Sequence, residues 1–403
     1  MTFAFEAATP RRLSWWHLFY SLLLIINFQV MAVDTDAELE AKLDNYLFLP
    51  ENDLPGAERY LLALETTLQP QTSLFSRTRL YIYISSLYNA QKQQGKADEY
   101  LAKVNDIAAE LQHPDIYAEL YAEKLSQHWA NNENSKASEL VPLVLQFTAR
   151  ADQYRVRYYG FNTAGRFLNW QGNYKDALSA LHQALNAVSD SDTMRDKRRQ
   201  IFLKLQIANL NQSLRNFDAG LKIVRDATTL ALTDKELHPM LTDLYITEGS
   251  LLVEIAQYPA AGEAYRKAEQ WGEKLADQAA ISTAINNLGD MYLRIGDFDK
   301  AMPYFQKAYQ LAEQQQDQFG MDTALFNQGA ILVRKGVHDD GLAMMQETVR
   351  KTREEDSINE LLPLLEEMAE ALHIAGRFEL EAATLREFNV LNKKLFQMER
   401  DKQ

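Results

Sequence analysis

Apolar residues recur at helical spacing on both sides of a short turn in the segment Ala284–Gln316. This pattern predicts a helix, a tight turn at Gly296-Asp297 and a second helix. The turn residue returns at a step of 40 to 43 positions, as Gly172, Arg215, Ala256, Gly296, Gly336 and Gly376. Such a step is typical of a solenoid, in which each unit packs only on its neighbours. The pattern therefore predicts an all-α protein built from antiparallel helix pairs.

Each predicted unit carries small and bulky residues at matching positions. Small residues occupy the middle of the first helix, at Gly165, Ala208, Gly249, Gly289, Gly329 and Ala369. Others recur early in the second helix, at Ala177, Gly220, Ala261, Ala301 and Gly341. An aromatic residue follows the turn in most units. A bulky apolar residue comes seven positions after this aromatic residue, at Leu181, Val224, Tyr265, Phe305 and Leu385. Because helices approach closely only where side chains are small, we expect close packing within each pair.

These positions resemble the tetratricopeptide repeat family. One unit carries the family's pattern of small, aromatic and turn residues in full, as Gly289, Tyr292, Gly296, Phe298, Ala301, Phe305 and Ala308. Six units from Tyr158 to about Lys394 carry most of it. The resemblance implies a right-handed superhelical solenoid of helix pairs, here with longer helices because the family's usual step is about 34. His338, Glu381 and Phe388 depart from the pattern.

Upstream of residue 158 the repeat pattern is weaker. Helix pairs are predicted at Leu80–Leu111, around Gln94-Gly95-Lys96, and at Ile116–Ala149, around Asn131–Ser135. Ala37–Leu68, interrupted at Pro50–Pro55, is a further candidate. The sequence therefore divides into a signal segment (1–32), a region of divergent helical repeats (33–157), six clear repeats (158–394) and the end of the C-terminal helix (395–403). About eight helix pairs are predicted in all.

The N-terminal segment has the residue order of a secretory signal peptide. Arg11 and Arg12 precede the apolar run Leu18–Ile26, and Val30-Met31-Ala32 offers residues that a signal peptidase accepts. Cleavage there and export to the periplasm is the prediction. An uncleaved anchor in the inner membrane is the alternative, although the apolar core is short for a membrane span.

Composition narrows the classes of function. The chain carries 42 Lys and Arg against 56 Asp and Glu, a formal net charge of -14 that argues against nucleic acid or an anionic membrane surface as a partner. It has no cysteine, which excludes disulfides and zinc–thiolate sites. Its seven histidines lack the spacing of a helical metal site, and no glycine-rich phosphate loop occurs. We therefore predict a protein without metal or cofactor that is not an enzyme.

In the tetratricopeptide family the first helix of each pair lines a concave surface, so the resemblance implies a ligand groove there. Amides are unfavourable inside helices, and their recurrence on this inferred face suggests recognition of an extended peptide backbone. The three arginines of the face are predicted to hold a carboxylate. The predicted partner-binding set is Asn162, Arg166, Asn169, Trp170, Gln206, Asn209, Gln212, Asn286, Asp290, Arg294, Asn327 and Arg334. The alternative is that these side chains only solvate the groove.

Two functions are compatible with these features. The first is an exported, non-catalytic module that binds a protein or peptide partner in its groove. The second is a sensory input module, because Asn392–Gln403 is similar to the helix that leaves the repeats in repeat-containing diguanylate cyclases and histidine kinases. No Gly-Gly-Asp-Glu-Phe sequence or kinase motif is present, so such a module would act without its own output domain.

Overall fold

The computed structural model describes residues 36, 38, 39, 42, 43, 54–354 and 358–400, with backbone only at 359 and 396–400. The predicted signal segment 1–32 lies outside these residues. Every regular element described is a helix, and none of these helices is both long and apolar enough to span a membrane. The α-helices are α1 Leu54–Thr66, α2 Leu74–Ala90, α3 Gln94–Leu111, α4 Pro114–Ala130, α5 Asn134–Thr148, α6 Tyr154–Trp170, α7 Tyr174–Val188, α8 Met194–Ser213, α9 Phe217–Ala231, α10 Leu241–Glu254, α11 Tyr258–Leu275, α12 Gln278–Arg294, α13 Phe298–Gln315, α14 Gln318–Arg334, α15 His338–Glu354, α16 Ile358–Ile374 and α17 Phe378–Arg400.

The chain forms two compact units, residues 1–112 and residues 113–403. In the first unit α1 packs on α2 and α2 packs on α3. In the second unit α4 to α17 form seven antiparallel pairs, from α4–α5 to α16–α17. The pair predicted at Ile116–Ala149 therefore belongs with the six clear repeats. With α2–α3, eight pairs are present, which confirms the predicted all-α architecture of about eight helix pairs.

Each pair reverses direction through one residue in the left-handed backbone region. These residues have φ between 58° and 88° and are Lys92, Asn132, Gly172, Arg215, Ala256, Gly296, Gly336 and Gly376. The N–H of Gly296 donates to the carbonyl of Leu293 at 3.0 Å, and the N–H of Asp297 donates to that of Tyr292 at 2.9 Å. Two carbonyls that the helix end leaves free are thereby satisfied. The six turns predicted by the 40-residue step are confirmed.

The turn of the α2–α3 pair lies earlier than predicted. Its left-handed residue is Lys92, whereas Gln94-Gly95-Lys96 opens α3. The prediction was misplaced because it took Gly95 as the turn marker. A Cβ added to Gly95 would meet nothing within 4 Å, so this glycine is not required for close packing either. Lysine adopts the turn conformation here at a steric cost that glycine avoids.

Small residues bring the two helices of a pair into direct contact. A Cβ added to Gly289 would lie 2.8 Å from the ring of Phe305, and one added to Gly249 would lie 2.4 Å from the ring of Tyr265. Both rings are buried. At Gly329 the conflict is with backbone, because its Cβ would lie 2.7 Å from the carbonyl oxygen of Gly341. The predicted close packing is confirmed, and each glycine leaves room for one specific group of the partner helix.

The left-handed turn positions lead to a prediction about the free energy of unfolding. Ala256→Gly should raise the free energy of unfolding by about 0.5–1 kcal/mol, because glycine has no Cβ that opposes a positive φ. Gly296→Ala is the matched reverse change, in a site with nothing within 4 Å of the added Cβ, and should lower it by about 1 kcal/mol. Urea unfolding followed by circular dichroism measures both. A lower midpoint for Ala256→Gly would contradict this reading of the turn.

Candidate functional site

The first helices of successive pairs form one surface of the second unit. Helix α4 contacts α6, and further along the chain α8 contacts α10, α10 contacts α12, α12 contacts α14 and α14 contacts α16, whereas no comparable contact between described residues joins α6 to α8. Among the described residues, the second helices of neighbouring pairs make fewer such contacts than any of these. The repeats are therefore closer together on the side of the first helices. We call the solvent-facing side chains of α4, α6, α8, α10, α12, α14 and α16 the first-helix face.

All twelve residues of the predicted binding set lie on first helices, namely α6, α8, α12 and α14. Five are exposed: Arg166, Asn169, Trp170, Asn209 and Arg294. Six are half-buried: Gln206, Gln212, Asn286, Asp290, Asn327 and Arg334. Asn162 differs from the prediction of a groove-lining side chain, because the packing of α6 leaves only 8% of it exposed.

Three amide groups on the first helices have a buried polar atom without a hydrogen-bond partner. The atoms are Asn162 Oδ1 on α6, Gln206 Nε2 on α8 and Asn286 Oδ1 on α12. Most buried polar groups in folded proteins are paired, and an unpaired one costs about 1–3 kcal/mol. Asn209 differs, because its Oδ1 accepts from Thr247 Oγ1 of α10 at 3.4 Å. These unpaired atoms are enclosed by neighbouring groups, so an incoming group could form a hydrogen bond with them only after those neighbours or the amides themselves move.

Two of the three predicted carboxylate-binding arginines are already paired with acidic residues of the protein. Arg294 lies 3.1 Å from Asp290 and 3.7 Å from Glu254. Arg334 bridges two glutamates of the next first helix, Glu367 at 2.7 Å and Glu370 at 3.1 Å, and is largely buried by them. Sequence reasoning missed Glu254, Glu367 and Glu370 because their contacts cross from one repeat to the next, whereas Asp290 lies one turn before Arg294 on the same helix.

Arg166 has a different environment. Its guanidinium lies 5.7 Å from the ring centre of Trp129, and it makes no ion pair with any residue that the structure describes. Trp129 belongs to α4 and lies 6.0 Å from Trp170, the last residue of α6. Both indoles also contact the buried ring of Phe167. Trp129 was missed because the repeat pattern is weak upstream of residue 158, although it lies near the end of its first helix, as Trp170 does.

Among the described residues, no group of three or more histidine and acidic side chains is arranged so that it could hold a metal ion. The segment Asp190-Ser191-Asp192 connects α7 to α8. Trp271 packs edge-on against His238 in a short 3-10 helix, Lys235–Met240, which connects α9 to α10.

The start of α8 is fixed by a buried carboxylate, Asp196. It accepts hydrogen bonds from Ser191 Oγ at 2.6 Å, Thr193 Oγ1 at 2.9 Å and Tyr154 OH of α6 at 3.2 Å, and it pairs with Arg199 at 2.8 Å. Burial by itself would raise the pKa of Asp196. The hydroxyl hydrogen bonds and the charge of Arg199 outweigh burial and hold the pKa below its usual value. This carboxylate joins α6 to α8 in the middle of the face.

Asp196→Asn should therefore destabilise the protein by about 1–3 kcal/mol at pH 7, because an amide cannot replace the charge-assisted hydrogen bonds. A carboxylate with a lowered folded-state pKa stabilises the fold above its usual pKa of about 4, and this stabilisation is lost as pH falls through the folded value. The difference between the two proteins should shrink towards pH 3 in urea unfolding. Asp192→Asn, at an exposed neighbour, is the control. Equal stability of wild type and Asp196→Asn at pH 7 would rule out this role.

Two family models match parts of the chain. Residues 243–314 match the model of the tetratricopeptide repeat, and residues 166–245 and 290–373 match that of anaphase-promoting complex subunit 5. No curated protein sequence matches the chain.

Several crystal structures share the fold over most of the chain. Apo RapI is 12% identical with a TM-score of 0.74, covering 90% of this chain and 99% of its own. A Rap protein complexed with competence and sporulation factor is 15% identical with a TM-score of 0.57, at the same coverage. The apo quorum sensor NprR of B. thuringiensis is 14% identical with a TM-score of 0.61, covering 88% of this chain and 99% of its own. At these identities the similarity concerns the fold alone.

Proposed function

We propose that this chain, a tetratricopeptide-like helical repeat protein, binds an extended segment of a protein or peptide along its first-helix face. The observation that carries the proposal is the set of buried, unpaired amide atoms of Asn162, Gln206 and Asn286 on three first helices. An extended peptide presents N–H and C=O groups at regular intervals, and an amide side chain can pair with either. Pairing would remove the cost of leaving these atoms unsatisfied.

The packing of the repeats supports the same face. Because most neighbouring first helices lie closer together than neighbouring second helices, we propose that the face forms a groove on the inner side of the solenoid's curve. A peptide in this groove contacts several repeats at once, so its binding energy is spread over many side chains. Two proteins with a similar fold are described as a complex with competence and sporulation factor and as a quorum sensor, which is consistent with peptide binding.

Binding rather than catalysis is part of the proposal. The comparisons establish no catalytic family for this chain. On the first-helix face the charged side chains are mostly paired with one another, as Arg294 and Arg334 show. A catalytic site usually contains several titratable side chains that face one cleft. The first-helix face carries ion pairs and amide side chains instead.

Double substitutions on the two helix layers test the face. Peptides selected from a random eight-residue library on the full-length protein serve as ligands, and their dissociation constants are measured. Asn209→Ala with Asn286→Ala, on the first helices, should weaken binding at least about tenfold, or ~1.4 kcal/mol. Gln306→Ala with Gln310→Ala, two exposed amides on the second helix α13, should change it less than about twofold. Equal effects of the two variants would defeat the proposal.

We further propose that the protein is exported to the periplasm, on the residue order of segment 1–32. Mass spectrometry of the protein from its native cells should find a mature N-terminus at Val33. An N-terminus that retains segment 1–32 would instead favour the membrane-anchored form.

A sensory input module remains the second candidate. Helix α17 has 23 residues and is longer than every other helix that the structure describes, including its partner α16 with 17 residues. A helix of this kind suits transmission to a further segment or partner.

A further inference from the structure

We propose that Trp129, Arg166 and Trp170 form an anchor site for a carboxylate that is flanked by an apolar group on the ligand. The inference rests on the proposed function, because it names the chemistry that one part of the first-helix face selects. It concerns the end of the face formed by α4 and α6, where the last turns of the two helices lie side by side.

Arg166 is available to a ligand where the other two predicted arginines are not. The guanidinium groups of Arg294 and Arg334 already contact two carboxylates each. A ligand carboxylate would have to displace these internal acids. Arg166 is exposed and makes no ion pair within the described part of the chain, so an external carboxylate meets no competitor there.

The indole of Trp129 lies against the guanidinium, and the indole of Trp170 beside it supplies an apolar surface. Stacking of a guanidinium on an aromatic face leaves its N–H edges free for in-plane, bidentate contact with a carboxylate. Trp129 provides this face at 5.7 Å. Trp170 lies beside it, is 36% exposed and is held from below by the buried ring of Phe167. A carboxylate on Arg166 therefore places its neighbouring groups against the exposed part of Trp170.

Asn162 adds a hydrogen-bond acceptor to the anchor site, so the ligand should carry an N–H donor. It precedes Arg166 by four residues on α6, so the two side chains lie on one stripe about 6 Å apart along the helix. Its side chain is more than nine-tenths buried and its Oδ1 has no partner. A single peptide residue can present a carboxylate, an N–H group and an apolar side chain within its own length. The carboxylate can come from a free C-terminus or from an aspartate or glutamate beside an apolar residue.

Matched peptides separate these two sources. Each peptide selected on the full-length protein is made in four forms: with a free C-terminus, with an amidated C-terminus, with its acidic side chains changed to amides, and with both changes together. Loss of binding on amidation identifies the C-terminus, and loss in the third form identifies an acidic side chain. Retained binding in a form without any carboxylate overturns the inference.

Variants of Arg166 test the site directly. Arg166→Gln should weaken binding at least about tenfold and reduce its dependence on salt concentration. Arg166→Lys should weaken it too, since lysine keeps the charge but loses the planar stacked fork. Arg225→Gln, which removes an exposed arginine paired with Glu248 near the second-helix layer, is the control and should change binding less than about twofold. Thermal unfolding of each variant verifies that the fold is intact, as expected for an exposed side chain.

The outcomes distinguish this inference from the proposed function. If Arg166→Gln binds the peptides as wild type does, while Asn209→Ala with Asn286→Ala binds them weakly, the groove stands and the anchor is rejected. If the library yields no peptide that binds the wild-type protein, both are rejected.

Discussion

The structure depends on the close approach of two helices within each repeat. At Gly329 and Gly341 the two backbones meet so closely that a Cβ on either glycine would lie within 2.7 Å of the other's carbonyl oxygen. At Gly289 the same space is filled by the ring of Phe305. Because protein interiors are densely packed, such contacts fix the spacing of each pair to within a methyl group. That spacing determines where neighbouring first helices meet, and so determines the face on which a ligand would lie.

Much of this architecture could be predicted from the sequence, since it is repeated. Gly296, Gly336 and Gly376 mark turns because a positive φ favours glycine, and the small residues beside them mark the helix contact. The turn at Lys92 was misplaced because no glycine occupies its left-handed position, and Gly95 was taken as the turn instead. The first helices that carry the candidate site could be identified from periodicity, but the burial of Asn162 could not, since its exposure depends on packing around α6.

The electrostatics of the face could not be predicted from residue types. Arg166, Arg294 and Arg334 look equivalent in the sequence, yet Arg294 reaches back to Glu254 and Arg334 reaches forward to Glu367. Both contacts cross a repeat boundary, where the rotamers of long side chains decide which pairs form. In an acidic protein, an arginine is most readily neutralised by the protein's own carboxylates. Among the described residues Arg166 makes no such ion pair, and its neighbours on α4 and α6 include two tryptophans.

Photo-crosslinking shows whether the ligand lies on the first helices. A selected peptide that carries a photoreactive residue is irradiated with the full-length protein, and the modified residues are mapped by mass spectrometry. We expect crosslinks to α6, α8, α10 and α12, on the side chains of the first-helix face. Crosslinks confined to second helices such as α9 and α13, at matched peptide occupancy, would contradict this expectation.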